Sequence, residues 1–429
     1  MHRIMDTKLT LGRTYQPRII DSALQHALNS AGAVIIEGAR ASGKTMTAMH
    51  AAASYAFIDD AEVQLALDVA PAAVLEGRAP RLLDEWQLAP ELWNLTRRAV
   101  DRADSTGRFI LTGSAIPADD ITRHTGAGRF IRLRQRTMTW SEKLDDATNR
   151  LSVAALFEGS RPTGDMSERI PLEALIENVL LPGFPAMKSF RPQQSAAQLR
   201  AYLDEVARTD VSRLVEVRHE PAIFRQLIAG LARSTASEVN YRTLASDVRT
   251  LAPTINAETI SGYASILERL FIVEQQRAWS PKLRSRARLR TSSKLHLADP
   301  AFAAAALGAG PDQLARDLET LGLLFESAVV HDLMVFASAL GGSVTHYRDS
   351  NGNEIDAIIT LPDGRWGAVE VKLGGGQMNA GIASLKKAIS QIDTQVVGEP
   401  SFTLVVTGTG GILTATDGTV VCPLHALAP

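Results

Sequence analysis

The sequence predicts an α/β chain in three regions. These are a parallel-sheet domain over residues 1–145, a helical and winged-helix-like region over 146–300, and a second α/β domain over 301–429. Three observations carry this reading. Short apolar runs alternate with helical periodicity in the first region, which implies strands joined by helical crossovers. Helical spacing dominates the second. In the third, one long apolar helix precedes three strand-length segments.

In the first region, Arg18–Asn29 has apolar residues at helical spacing, and Ala33–Gly38 (AVIIEG) reads as a buried strand. A helix from Lys44 to about Ala53 follows, then strands at Tyr55–Asp59, Arg81–Glu85 and Arg108–Thr112. Residues 150–215 are mostly helical, broken by LPGFP at Leu181–Pro185; residues 221–276 read as three short helices and a strand, the order of a winged helix. From Arg277 to Lys294 there are seven Lys or Arg and no acid. Arg284, Arg286, Arg288 and Arg290 alternate, so on a strand they share one face. That segment is either a solvated hairpin or a surface that contacts phosphate. The last region reads as a helix over Leu318–Leu340, strands at Ser343–Arg348, Asn353–Thr360 and Arg365–Lys372, a helix near Asn379–Ile392, and a strand at Phe402–Thr407.

Composition narrows the function classes. A length of 429 residues with 45% hydrophobic content supports two or three cored domains. The net charge of −2 means that any nucleic-acid surface is a local patch. The single cysteine, Cys422, excludes an intramolecular disulfide and a thiolate zinc cluster, as suits a reducing compartment. The start, MHRIMDTKLT, lacks the apolar core of a signal peptide, and no stretch approaches 18 consecutive apolar residues. The expectation is a soluble cytoplasmic protein with no membrane partner.

The sharpest motif is GARASGKT, Gly38–Thr45, a GxxxxGK[ST] sequence placed after an apolar strand and opening a helix. Gly38 and Gly43 let the backbone curl so that the N–H groups of Ala39, Arg40, Ala41 and Ser42 turn toward phosphate. Lys44 supplies a point charge for the β- and γ-phosphates, Thr45 a hydroxyl for Mg²⁺, and the helix its positive end. Asp84 and Glu85 end a later apolar strand. Asp84 is expected to hold the Mg²⁺ hydration shell and Glu85 to act as general base on water. Thr112 and Ser114, at the end of the next strand, are placed to sense the γ-phosphate. Arg129 is the candidate arginine finger, acting on a neighbouring subunit of a homo-oligomer; Arg132, Arg134 and Arg136 follow it. The expected cofactors are ATP and Mg²⁺.

The run VIIEGARASGKT, LLDEWQLAP, FILTGS and GAGRF resembles the AAA+ domain of a large bacterial and archaeal family of ATP-binding proteins. That family pairs the ATPase with a C-terminal domain of restriction-endonuclease-like fold and unknown function. The resemblance continues through LPGFP, YLDEVARTDV (Tyr202–Val211), KLHLAD (Lys294–Asp299) and LLFESAVVHDL (Leu323–Leu333), and so covers nearly the whole chain. Pro182 stands where the family commonly has glycine, and Ala39 and Arg40 are individual choices within the loop.

A second cluster has the pattern D-x(13)-E-x-K: Asp356, Glu370 and Lys372. It resembles the PD-(D/E)XK nuclease signature, with Glu326 as the matching accessory acid. A hairpin centred on Asp363 would set Asp356 opposite Glu370 and Glu354 opposite Lys372. Ile355, Ala357, Ile359, Val369 and Val371 would then face a core, with the polar residues on the other face. Opposed carboxylates repel unless a cation lies between them. The pattern therefore suggests Glu326, Asp356 and Glu370 as metal ligands and Lys372 as the residue positioning a water. A solvated sheet face and a nuclease-like fold that binds without cutting are the other readings. His346 and Arg348 have matching parity on the neighbouring strand.

Three functions follow, the plainest an ATPase module whose partner is encoded elsewhere. Another is a nucleic-acid-associated AAA+ ATPase whose nucleotide state is coupled to a C-terminal nuclease-like domain that cuts DNA or RNA or merely binds it, the nucleic acid being held through residues 277–294 and that domain. The third is an ATP-driven interaction switch, like the signalling ATPases of the wider STAND group, whose C-terminal domain binds a protein.

Overall fold

Four consecutive apolar residues, Ala33 to Ile36, need cover on both faces of a sheet. In the computed structural model each is fully buried within strand β1 (Ala33–Glu37). The structure describes residues 15–116, 126–144, 150–162, 164, 170–214, 220–279 and 292–429. The alternating arginines 284, 286, 288 and 290 lie outside the described residues. The chain divides into two compact units, residues 1–137 with Arg269–Phe271, and residues 138–268 with 272–429. The regions read from sequence as 146–300 and 301–429 thus share the second unit.

The first unit is a parallel sheet. Strands β2 (Ser54–Phe57), β3 (Arg81–Asp84), β4 (Phe109–Gly113) and β5 (Phe130–Arg134) join β1 in the order β2-β3-β4-β1-β5. Alternate residues serve opposite faces. Ala33, Ile35, Leu83 and Leu111 pack with Trp86, Leu92 and Trp93. Val34, Ile36, Leu82 and Ile110 pack with Leu24 and Leu28 of helix α1 (Ile20–Ser30) and Ala48 of α2 (Lys44–Ala51). Full burial of each such side chain contributes roughly 1.5–3 kcal/mol. Helices α3 (Ala61–Val69) and α4 (Leu92–Asp101) complete the crossovers. Strand β5 is absent from the sequence reading because its arginines, Arg132 and Arg134, mask it. It is an edge strand, where charge is tolerated and discourages further pairing.

The second unit joins a helical region to a mixed sheet. Helices Pro221–Arg233, Tyr241–Val248 and Ala257–Arg269 accompany an antiparallel sheet of β7 (Ser237–Glu238), β9 (Lys294–Leu297) and β8 (Val273–Gln276). The larger sheet has the order β10-β11-β12-β13-β15-β14. Its strands are β10 (Ser343–Arg348), β11 (Glu354–Thr360), β12 (Trp366–Lys372), β13 (Phe402–Thr407), β14 (Leu413–Thr414) and β15 (Val420–Pro423). A short pair, β6 (Leu151–Ser152) with β16 (Leu427–Ala428), ties the end of the chain back to this unit. Helix Met378–Ile389 covers one face with Leu385 and Ala388. Helix Leu318–Ala339 packs against β10, β11 and β12 on the sheet. The helix read from sequence over Leu318–Leu340 is present, and it is long and apolar enough to span a bilayer, with a mean hydropathy of 1.5; here it is a core helix, 72% buried over that window.

The two parts of this unit are stitched through Gln276. Its Nε2 donates to the carbonyls of Thr345 (3.2 Å) and Asp356 (2.7 Å), and its Oε1 meets His296 Nε2 at 3.1 Å. His296 Nδ1 meets Ser327 Oγ at 3.1 Å, and burial pushes its pKa down to about 3, so the ring is neutral. A segment just beyond β8 also bonds the edge of β10: His346 N donates to Arg277 O, and Trp279 N to His346 O.

Candidate nucleotide site and C-terminal carboxylate cluster

Gly38 follows β1 directly. A Cβ there would lie 2.0 Å from the carbonyl oxygen of Gln135, so only glycine permits this approach. Ala41 (φ 62°) and Gly43 (φ 98°) are left-handed, which curls the loop before α2 begins at Lys44. Lys44 is buried, and its Nζ donates to Ala39 O at 2.9 Å across the loop. Burial lowers its pKa to about 8, opposed by the charges of Glu85 and Asp84. Ser42 Oγ is buried with no hydrogen-bond partner among the described residues. A buried orphan polar atom calls for a partner, and a phosphate oxygen in the loop would be one.

Asp84 reaches this loop although β4 separates its strand from β1. Thr45 Oγ1 donates to Asp84 Oδ1 at 2.9 Å and lies 3.2 Å from Oδ2. Thr112 Oγ1 also donates to Asp84 Oδ1 and accepts from Glu85 N at 3.1 Å. Burial raises the Asp84 pKa, with the Thr112 and Thr45 hydrogen bonds opposing. Glu85 is left-handed (φ 57°), a conformation that costs a non-glycine residue about 1–3 kcal/mol and clusters at functional sites. Its carboxylate accepts from Ser114 Oγ at 2.7 Å and from Gln87. Thr112 and Ser114 thus face the two acids. A hydroxyl and a carboxylate oxygen in contact, beside a loop with an orphan polar atom, fit a hydrated Mg²⁺ with nucleotide.

Arg129 lies elsewhere. It precedes β5, at the end of the parallel sheet opposite the loop, and pairs with Asp101 at 2.8 Å. The five-residue strand spans about 16 Å, so Arg129 is out of reach of its own subunit's loop. Arg134, at the loop end of β5, sits over the Phe271 ring at 4.0 Å, and its charge helps to lower the Lys44 pKa. Sequence reasoning missed two residues that brace the loop. Arg18 donates to Ser42 O (3.0 Å) and Arg136 O (3.1 Å). Gln135 donates to Ser42 O and Thr47 Oγ1, both at 3.2 Å. Their distance along the chain from Ser42 left no local signal.

At the C-terminal cluster the expected hairpin register is present, with Ala357 paired to Val369 and Thr360 to Trp366. The polar face is shorter than expected, because Ile358, Trp366 and Ala368 on the same parity are buried in the apolar core. Asp356 Oδ2 accepts from Val371 N at 2.8 Å, and Glu370 pairs with Lys372 at 2.7 Å. Glu354 pairs with Lys294 at 2.6 Å rather than with Lys372. Lys294 Nζ also lies 2.8 Å from Glu326 and 3.8 Å from Asp356. Burial raises the pKa of Glu326 to about 8 and of Glu370 to about 7; Asp356 adds to both, while Lys294 and Lys372 respectively oppose. A β-bulge between Thr345 and Tyr347 breaks the parity assumed for His346 and Arg348. His346 Nε2 contacts Ser292 O at 3.1 Å, and Arg348 turns toward Glu238.

Among the described residues, no group of three or more His, Cys, Asp or Glu is arranged to hold a metal ion. Of the three acids expected to share one, Glu326 and Asp356 both lie near the Lys294 ammonium, and Glu370 is paired with Lys372. A cleft of about 1130 Å³ opens beside Glu326 and Lys372, with Gly374–Gly376 in its wall.

Three family models match parts of the chain. Residues 30–144 match an AAA domain, residues 172–313 a domain of unknown function (DUF8612), and residues 321–427 another (DUF4143). No curated protein matches. Among solved structures, a Walker-type ATPase of Pyrococcus abyssi aligns at 11% identity and a TM-score of 0.40, over 68% of this chain and 96% of that one. Residues 30–144 are thus an AAA-type, ATP-binding domain.

Proposed function

With an AAA-type domain in place, we propose that the first unit hydrolyses ATP and that nucleotide state sets what the second unit binds. The contact of Thr45 with Asp84 beside the buried Lys44 carries this reading. The loop from Gly38 to Thr45 would bind the phosphates, with the Lys44 ammonium turning from Ala39 O to phosphate oxygen. Thr45 and Asp84 would hold Mg²⁺, which supplies charge neutralisation when bound. Glu85, set by Thr112 and Ser114, orients water and takes its proton. Arg129 serves a neighbouring subunit, since it cannot serve its own.

The partner of the second unit is DNA or RNA. The order of helices and strands from Pro221 to Leu297, with the basic segment 277–293 between β8 and β9, supports a winged-helix-like reading. The unit binds rather than cuts, because its carboxylates are already paired with lysines. Phosphate release and labelled-ATP binding test the motor. Lys44→Ala should lose both, and Glu85→Gln should keep binding while turnover falls at least about 100-fold, as for a lost general base. Turnover that survives Glu85→Gln refutes the assignment. Fluorescence anisotropy with labelled oligonucleotides at low salt tests the partner: affinity that ignores nucleotide state counts against the coupling. ATP-dependent capture of a protein in place of nucleic acid would favour the interaction-switch reading.

A further inference from the structure

We propose that Lys294 is an internal cation that fills the C-terminal carboxylate cluster, so that this unit holds no divalent metal there and cleaves no phosphodiester. The ammonium lies 2.6 Å from Glu354, 2.8 Å from Glu326 and 3.8 Å from Asp356. A lysine has three N–H donors and no acceptor. Two of these groups are at hydrogen-bonding distance and the third at ion-pair distance, so one ammonium already occupies the place a cation would take among them. The lysine side chain is only 6% exposed.

A divalent ion bound by Glu326 and Asp356 would need oxygens from both at 2.0–2.6 Å, roughly the range for Mg²⁺ and Ca²⁺. That would place it against the ammonium, with charge of the same sign. Lys294 has little freedom to withdraw. Its backbone is in register with Gln276 on β8 and Glu238 on β7. Two residues on, His296 is locked between Ser327 and Gln276. The second lysine is committed as well, since Lys372 donates to Glu370 at 2.7 Å. The cluster therefore joins β9, helix Leu318–Ala339 and β11 by charge, at the place where the sequence pattern suggests a metal.

The test is Mn²⁺ titration of the full-length, nucleotide-free protein, read by electron paramagnetic resonance. Wild type and Asp356→Asn should show the same absence of a micromolar site. Lys294→Met should gain one micromolar site, and adding Asp356→Asn should remove it. Mn²⁺ should also raise the melting temperature of Lys294→Met while leaving that of wild type unchanged. A wild-type micromolar site that Asp356→Asn abolishes would overturn the proposal, as would a folded Lys294→Met that gains none. Should Lys294→Met fail to fold, the wild-type and Asp356→Asn pair decides alone. ATP turnover, followed in the same preparations, reports separately on the first unit.

Discussion

Replacing Thr112 by valine keeps the shape of a fully buried side chain and removes one hydroxyl. That hydroxyl donates to Asp84 and accepts from Glu85 N at 3.1 Å. Loss of a hydrogen bond to a charged group costs about 1.5–3 kcal/mol, and a buried N–H left unpaired about 1–3 kcal/mol. The added methyl returns about 0.8 kcal/mol. The net destabilisation is about 2–5 kcal/mol, and it falls on the backbone turn that holds Glu85 left-handed. If about 2.7 kcal/mol of it appears in the transition state, turnover falls about 100-fold. Thr45 still holds Asp84 at 2.9 Å, so ATP affinity should change little. Asp84 also loses one of the bonds that oppose its raised pKa. The acid limb of the rate profile should therefore move to higher pH. Steady-state phosphate release across pH, with ATP affinity measured separately, makes the comparison. Unchanged turnover would refute the argument. An affinity loss as large as the rate loss would show that Thr112 meets the nucleotide itself.

Two further predictions concern pH. Burial lowers the Lys44 pKa to about 8, so in the free protein its charge is lost as pH rises above that value. Labelled-ATP affinity should fall several-fold from about pH 8 to about pH 9, by the proton linkage of a single group, and Lys44→Arg should abolish the dependence; a flat wild-type profile contradicts this. In the second unit, burial raises Glu326 to about 8 and Glu370 to about 7. Their folded pKa values lie above the unfolded ones, so the folded state holds more protons between roughly pH 4.5 and 8, and stability falls as pH rises through that window. Thermal melting should show this slope for wild type and a shallower one for Glu326→Gln; equal slopes would exclude Glu326 as a source.

Much of the nucleotide site was legible because its parts are local. Gly38 to Thr45 is one loop between a strand and a helix, and Asp84 and Glu85 are neighbours. The hairpin register around Asp363 was equally legible, because one turn and a two-residue period fix it. What escaped was anything that depends on a distant segment. Arg18 and Gln135 brace the loop from 24 and 93 residues away from Ser42. Strand β5 was hidden because Arg132 and Arg134 alternate on an edge that only the finished sheet defines.

The sequence alone determined the class of the first unit, since a glycine-rich loop between an apolar strand and a helix has few other uses. It also gave the hairpin register of β11 and β12. Only the tertiary structure decided what stands among their carboxylates. Lys294 lies 62 residues before Asp356 and reads as the end of a basic segment, yet folding places its ammonium at 3.8 Å from that carboxylate. Charge is neutralised by whatever cation the fold brings within a few ångströms. A spacing motif records the ligands on one hairpin and is blind to a counter-ion delivered by another sheet.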